Sequence, residues 1–181
     1  MVNGAISRSN GPGDASSTVW VAALITVVAA LTIAGAWFFQ LVLDIRPCPL
    51  CLEQRYAYYL AIPLAIIVAI AAGRGVPRGW LVAGFLILAL ATLANAGLGL
   101  YHAGVEWGWW QGPTDCSGPI TDLGAPGSLL DSLKNVKVVR CDEVQWRFLG
   151  LSLAGYNVLI SLAMAALGLW GINRAVSPSA R

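Results

Sequence analysis

Four long stretches without a charged side chain constrain this sequence more than any other feature. They cover residues 19–43, 56–73, 79–101 and 148–173. A helix needs about 20 mostly apolar residues to cross a hydrocarbon core roughly 30 Å thick. Charged residues make up only 11% of the chain, against about 25% in a typical soluble domain. The sequence therefore predicts an all-α membrane protein, built as a bundle of four transmembrane helices.

The polar segments between these stretches predict the topology. Residues 1–18 and 174–181 are interpreted as cytoplasmic tails, the first of them disordered, because four crossings return the chain to the side on which it starts. That side also holds the turn 74–78, and together the tails and this turn carry five arginines and one aspartate, a net charge of +4. The loops 44–55 and 102–147 carry six basic and eight acidic residues, a net charge of −2. Basic segments stay in the cytoplasm, so both loops are predicted to be periplasmic.

The long loop is predicted to contain one short helix that lies on the membrane surface. Between residues 127 and 139, apolar side chains recur at helical spacing while the polar residues fill the opposite face; the apolar ones are Leu129, Leu130, Leu133 and Val136. An amphipathic helix of this kind lies in the plane of the interface.

Four cysteines fall in the two predicted periplasmic loops: Cys48, Cys51, Cys116 and Cys141. Disulfides form and persist on that side of the membrane. The small net charge of the whole chain, +2, argues against binding to nucleic acid. The placement of the cysteines indicates chemistry or disulfides at the water-facing edge of the bundle.

Cys48 and Cys51 are spaced to lie on one helical turn. Pro49 favours the first position of a helix, which makes Cys48 the predicted N-cap and Cys51 a first-turn residue. A thiolate at a helix N-terminus is stabilised by the free backbone amides, so its pKa falls. Arg55 follows Cys51 by four residues on the same face and adds a positive charge. This pattern predicts a redox-active dithiol at the membrane surface.

Structural uses of the cysteines are weaker interpretations. A disulfide between Cys48 and Cys51 closes almost no loop, so it adds little stability. A structural zinc site requires two close pairs of ligands, whereas 24 residues separate Cys116 from Cys141. Redox chemistry is therefore the preferred prediction, with purely structural disulfides as the alternative.

The sequence resembles the disulfide bond formation protein B family, the bacterial inner-membrane enzymes that reoxidise a periplasmic thioredoxin-like oxidant, protein A. The similarity covers residues 19–173 and includes the four helices, the loop cysteines, the segment 141–151 and the motif Cys48-Pro49-Leu50-Cys51-Leu52-Glu53-Gln54-Arg55. The resemblance implies a thiol:quinone oxidoreductase that uses ubiquinone or menaquinone as the electron acceptor.

The resemblance also implies a route for the electrons. The partner's reactive thiolate would attack Cys116, with Cys141 as its mate in the loop pair. Cys48 would exchange with that pair, and Cys51 would face the quinone as a thiolate.

Two further residues are predicted to contact the quinone on the same grounds. Arg55 would stabilise negative charge on a quinone oxygen; a snorkelling interfacial arginine is the alternative. His102, the only histidine, would contact the quinone or donate a proton to it; a water-satisfied interfacial histidine is the alternative.

Two other functions stay open at this stage. A vitamin K epoxide reductase-like enzyme is also a small membrane thiol–quinone oxidoreductase, but its loop cysteines precede the C-x-x-C motif, whereas here the motif comes first. A non-enzymatic membrane scaffold, with cysteines that staple its outer loop, would show neither a labile Cys48/Cys51 pair nor a mixed disulfide.

Overall fold

The computed structural model describes residues 12–113 and 140–177. Within them, four helices run over Pro12–Leu41 (α1), Pro49–Gly73 (α2), Arg78–Glu106 (α3) and Leu153–Val176 (α4). Each of these four is long and apolar enough to cross a membrane. The predicted four-helix membrane fold is confirmed for this part of the chain. Cys116, the predicted amphipathic helix and the outermost residues of both tails lie outside the described residues.

The first helix begins before the uncharged stretch. It starts at Pro12, so residues 12–18, which the sequence assigned to a disordered tail, are helical. Proline favours the first position of a helix because its missing N–H would have no partner there. Polar residues next to the membrane do not stop a helix, so charge alone misplaced this boundary.

The second helix also begins early, at Pro49 rather than near residue 56. Cys48 is its N-cap, and the Cys48 sulfur accepts a hydrogen bond from the backbone N–H of Cys51 at 3.3 Å. The cap and the proline fix the start of this helix. Most of the segment predicted as the loop 44–55 is therefore the first two turns of α2, and the C-x-x-C motif lies in its opening turn, as predicted.

The fourth helix begins later than predicted, at Leu153 instead of 148. Residues 147–148 (β1) and 151–152 (β2) pair as a small antiparallel hairpin. Leu149 and Gly150, the two residues between the strands, both have positive φ, as the tight turns that join antiparallel strands require. Ser152 then caps α4 by accepting a hydrogen bond from the N–H of Gly155 at 3.2 Å.

The third helix runs five residues further than the predicted boundary, to Glu106. The fourth ends at Val176, three residues beyond its uncharged stretch. His102 and Glu106 therefore lie on the last turns of one continuous helix, four residues apart.

Small residues let the helices approach closely. A Cβ added at Gly171 of α4 would lie 2.4 Å from the Phe85 ring of α3, and one at Gly84 of α3 would lie 2.4 Å from Val68 of α2. Membrane helices associate through such close contacts, because lipid offers no hydrophobic driving force between them. Large apolar side chains such as Trp20, Leu31 and Ile67 stay exposed around the bundle, as expected for a surface that faces lipid.

Candidate active site

The two cysteines of the C-x-x-C motif form a reduced pair. Their sulfur atoms lie 2.9 Å apart, and both thiols are free. Cys48 is buried, whereas Cys51 is partly exposed. The backbone N–H of Cys51 points at the Cys48 sulfur. The first turn of α2 therefore holds two thiols at a separation from which a disulfide can close with little movement.

The negative charge of the reduced pair is favoured on Cys48. The hydrogen bond from the Cys51 thiol, helped by His102 and by the Cys51 amide, lowers the pKa of Cys48 from 9.0 to about 5 against the opposing effect of burial. At neutral pH Cys48 is then a thiolate, the form that attacks disulfides. The assignment of Cys51 as the quinone-facing thiolate, which the resemblance implies, stays a prediction.

His102 lies against this pair. Its Nε2 atom is 3.6 Å from the Cys48 sulfur, and its Nδ1 atom is 2.9 Å from Nε2 of Gln54. The His102 side chain is only 3% exposed, so water at the membrane surface does not satisfy it. The His102 ring is therefore buried next to the two thiols, and Gln54 of α2 contacts its other nitrogen.

Glu106 is a site residue that the sequence analysis missed. Its Oε1 atom lies 3.9 Å from Nε2 of His102, one turn earlier on α3, and its side chain is 6% exposed. Its Oε2 atom is buried without a hydrogen-bond partner among the described residues. The four-residue spacing from His102 was visible in the sequence, but Glu106 was counted as a loop charge because the third uncharged stretch ends at residue 101.

Arg55 is buried between α1 and α2. One guanidinium nitrogen donates to Oε1 of Gln40 at 2.8 Å, and the guanidinium lies 5.5 Å from the centre of the Trp37 ring. A snorkelling arginine would extend its charge into water, whereas the whole Arg55 residue is only 9% exposed. The structure thus turns this charge towards the interior of the bundle.

A cavity of about 620 Å³ opens beside these groups. Ligand cavities in proteins usually measure about 300–1,000 Å³ and have mostly apolar walls. Apolar side chains of α1 and α4 form much of the wall, and α2 and α3 contribute the polar groups Cys48, Cys51, Gln54, Arg55, Tyr58, His102 and Glu106. Residues of the 140–148 segment cover the outer end. The dithiol therefore opens on a space suited to a flat apolar molecule with a few polar atoms.

Polar side chains at the inner end of the cavity connect three helices. The Tyr58 hydroxyl of α2 donates to Oδ1 of Asn157 on α4, and Nδ2 of Asn95 on α3 donates to the same oxygen at 3.2 Å and to Ser161 at 3.0 Å. These hydrogen bonds join α2, α3 and α4 inside the bundle. Tyr58 and Asn157 also line the cavity, so the network shapes its floor.

Cys141 lies close to the dithiol. It is disulfide-bonded, with a partner outside the described residues, and only 1% exposed. It belongs to the same buried apolar cluster as Cys48, Leu50 and Val105, and its backbone lies beside the His102 ring. The fold therefore brings one loop cysteine next to the C-x-x-C motif across more than 90 residues of sequence.

Ligand atoms of Cys48, Cys51 and His102 lie within 4.8 Å of one another. Two thiolates bound to one tetrahedral zinc, each with a Zn–S distance near 2.3 Å, would lie about 3.8 Å apart, against 2.9 Å between these sulfurs. The preference for redox chemistry over zinc rests on the spacing of the cysteines in the sequence and stays a prediction.

The chain is similar to known proteins of a single family. A family model described as disulfide bond formation protein DsbB matches residues 18–171. A protein named disulfide bond formation protein B from Marinobacter nauticus is 32% identical over 88% of this chain and 94% of its own length, and one of the same name from Nitrosococcus oceani is 30% identical over 87% and 93%. No solved structure matches this chain.

Proposed function

This chain belongs to the disulfide bond formation protein B family, and we propose from that premise that it is a thiol:quinone oxidoreductase of the bacterial inner membrane. The family relation and the four spanning helices make it a multi-pass membrane protein of disulfide bond formation. The observation that carries the proposal is the reduced Cys48/Cys51 pair at the mouth of an apolar cavity.

In this proposal the cysteines face the periplasm. The charge distribution supports it, since the segments on the opposite side of the membrane have a net charge of +4 and basic segments are retained in the cytoplasm. Cys141 supports it independently, because disulfides are rare in the reducing cytoplasm and this cysteine is disulfide-bonded.

The loop cysteines are the proposed entry point for electrons. Cys116 and Cys141 form the loop disulfide, and the thiolate of a periplasmic thioredoxin-like partner attacks Cys116. After the partner has left as a disulfide, a thiolate of the reduced loop pair attacks Cys48 of the Cys48–Cys51 disulfide, which re-forms the loop disulfide and leaves Cys48 and Cys51 reduced. The burial of Cys141 in one cluster with Cys48 supports this exchange, because sulfur atoms must approach each other directly to exchange.

The cavity is the proposed quinone site. A bound quinone accepts the two electrons and two protons that the dithiol gives up. Arg55 fits an oxygen that becomes negative, because fixed charges in a water-poor site stabilise such an oxygen strongly. Cys51, His102 and Glu106 line the same space. The residues present therefore suit an apolar ring that carries carbonyl oxygens.

The test is a reconstituted reaction. Purified protein in lipid nanodiscs is mixed with a reduced thioredoxin-like partner and either a ubiquinone or a menaquinone analogue, and the loss of quinone absorbance is followed. We expect turnover by the wild type, none by Cys51→Ser, and a trapped mixed disulfide at Cys116 when the second cysteine of the partner is replaced by alanine, because the partner can then no longer resolve it.

Two results would contradict the proposal. In the first, the wild type leaves both quinones unreduced although all four cysteines are chemically unmodified. Alternatively, the Cys48/Cys51 pair could remain unreactive under graded reducing potential, as in a scaffold whose cysteines are structural.

A further inference from the structure

One buried acidic group near the dithiol has no role in the function proposed so far. Glu106 ends α3 at the outer end of the cavity, which it lines. Its side chain is only 6% exposed, and its Oε2 atom has no partner among the described residues. An acidic side chain inside a membrane protein is costly, so it usually marks a functional path with a definable partner.

The contacts of Glu106 leave its second carboxyl oxygen without a hydrogen-bond partner among the described residues. Oε1 faces Nε2 of His102 at 3.9 Å. The side chain of Ser152 lies beside the carboxyl group, and Arg147 is the nearest positive charge from the hairpin. Cys48 and Cys51 are the titratable groups that face it from α2. None of these contacts accounts for Oε2, and Glu106 is one of the residues that line the cavity.

His102 links this carboxyl group to the thiols. The same nitrogen, Nε2, lies 3.6 Å from the Cys48 sulfur and 3.9 Å from Oε1 of Glu106. Nδ1 contacts the side-chain amide of Gln54 at 2.9 Å. An amide offers either an N–H donor or, turned over, a carbonyl acceptor. Gln54 therefore suits both neutral tautomers of His102, and a proton can arrive at or leave Nε2 without loss of that contact.

We propose that Glu106 is the proton donor of this site: its carboxyl group gives a proton to an oxygen of the bound quinone and recovers one from His102, which holds the proton that the Cys48 thiolate has given up. The inference rests on the proposed quinone reduction and assigns it a residue. The low exposure of both side chains keeps this path apart from bulk water, so protons pass between thiol and quinone inside the protein.

The step balances. Closing the Cys48–Cys51 disulfide from the Cys48 thiolate and the Cys51 thiol breaks one S–H bond, forms one S–S bond and releases two electrons and one proton. Protonated His102 holds the second proton, which Cys48 gave up earlier. Reduction of a quinone to a quinol takes up the same two electrons and two protons. Glu106 supplies one proton to a quinone oxygen, becomes a carboxylate and is restored by the proton of His102, while the proton of Cys51 goes to the other quinone oxygen. No further oxidant or acid is required.

The experiment compares Glu106→Gln with Glu106→Asp and with Glu53→Gln. Glu53 is an exposed acidic residue just after the first turn of α2, so its replacement removes the same charge near the same surface. We expect Glu106→Gln to lower kcat for quinone reduction about 100-fold, the usual range for loss of a general acid. KM for the quinone should stay within about twofold of wild type, Glu106→Asp should recover about tenfold of the loss, and Glu53→Gln should match wild type.

A second measurement does not depend on turnover. Infrared difference spectra of the protein with and without a quinone analogue should show a shifted carboxylic acid C=O band in wild type and Glu53→Gln. The band should be absent in Glu106→Gln. A Glu106→Gln protein with wild-type kcat, or a wild type without the band, would overturn the assignment of Glu106.

A double replacement separates a shared path from a general loss of structure. If His102 and Glu106 act in one path, His102→Ala with Glu106→Gln should be no slower than the slower single variant; multiplied losses would show that the two residues act independently. Quenching of tryptophan fluorescence by quinone checks that each variant still binds its ligand. If the wild type fails to reduce quinone at all, the proposed function falls; if it turns over and Glu106→Gln equals it, only this inference falls.

Discussion

Replacement of Cys51 tests the electrostatic argument for Cys48 directly. The hydrogen bond between the two sulfurs, 2.9 Å apart, is the largest influence that lowers the pKa of Cys48 to about 5. A hydrogen bond to a charged group contributes about 1.5–3 kcal/mol, and ~1.4 kcal/mol corresponds to one pKa unit. Cys51→Ala should therefore raise the pKa of Cys48 by about 1–2 units, to about 6–7.

Cys51→Ser is the matched control, since its hydroxyl keeps a donor at the same place. Both variants are made with Cys116 and Cys141 replaced by alanine, so that Cys48 is the only thiol. The rate of alkylation by iodoacetamide is then measured against pH, because only the thiolate reacts. The rate should rise around pH 6–7 for the alanine variant and about 1–2 units lower for the serine variant. Equal midpoints for the two variants would refute the assignment of the Cys51 thiol as the hydrogen-bond donor.

Three further predictions concern the cavity, the packing and the topology. Arg55→Gln should weaken quinone binding about tenfold or more in a tryptophan fluorescence titration, because a hydrogen bond from a charged group contributes about 1.5–3 kcal/mol; unchanged affinity would place the ligand elsewhere. Gly171→Ala should destabilise the bundle by about 1–3 kcal/mol in chemical unfolding, since its Cβ would meet the Phe85 ring. Gly97→Ala is the control, because no atom lies within 4 Å of its new Cβ. Its free energy of unfolding should differ from that of the wild type by no more than about 0.5 kcal/mol, as is usual for surface substitutions. A membrane-impermeant maleimide should label Glu143→Cys in intact cells but label Arg74→Cys only after the membrane is permeabilised, and the reverse pattern would invert the proposed orientation.

The sequence by itself determined the membrane fold and the position of the C-x-x-C motif at the start of a helix. Four uncharged stretches of sufficient length predict four membrane-spanning helices. Lipid offers no water to the backbone N–H and C=O groups, and a helix pairs these groups within the segment. The N-cap position of Cys48 also follows from local sequence, because Pro49 defines where α2 begins. These features depend on neighbours in the chain and on solvent, both of which a sequence displays.

Only the tertiary structure decided which polar side chains surround the thiols. The sequence placed Glu106 among the charges of the long loop. In the structure α3 extends past residue 101, so Glu106 lies one turn after His102 on the same helix. The burial of Arg55 depends on Gln40 and Trp37 of another helix. Helix packing sets these contacts, and packing joins residues that are far apart in the chain. A pattern of charge and hydropathy records which segments enter the membrane but not which faces of them meet, and that is why the surroundings of the dithiol had to come from the fold.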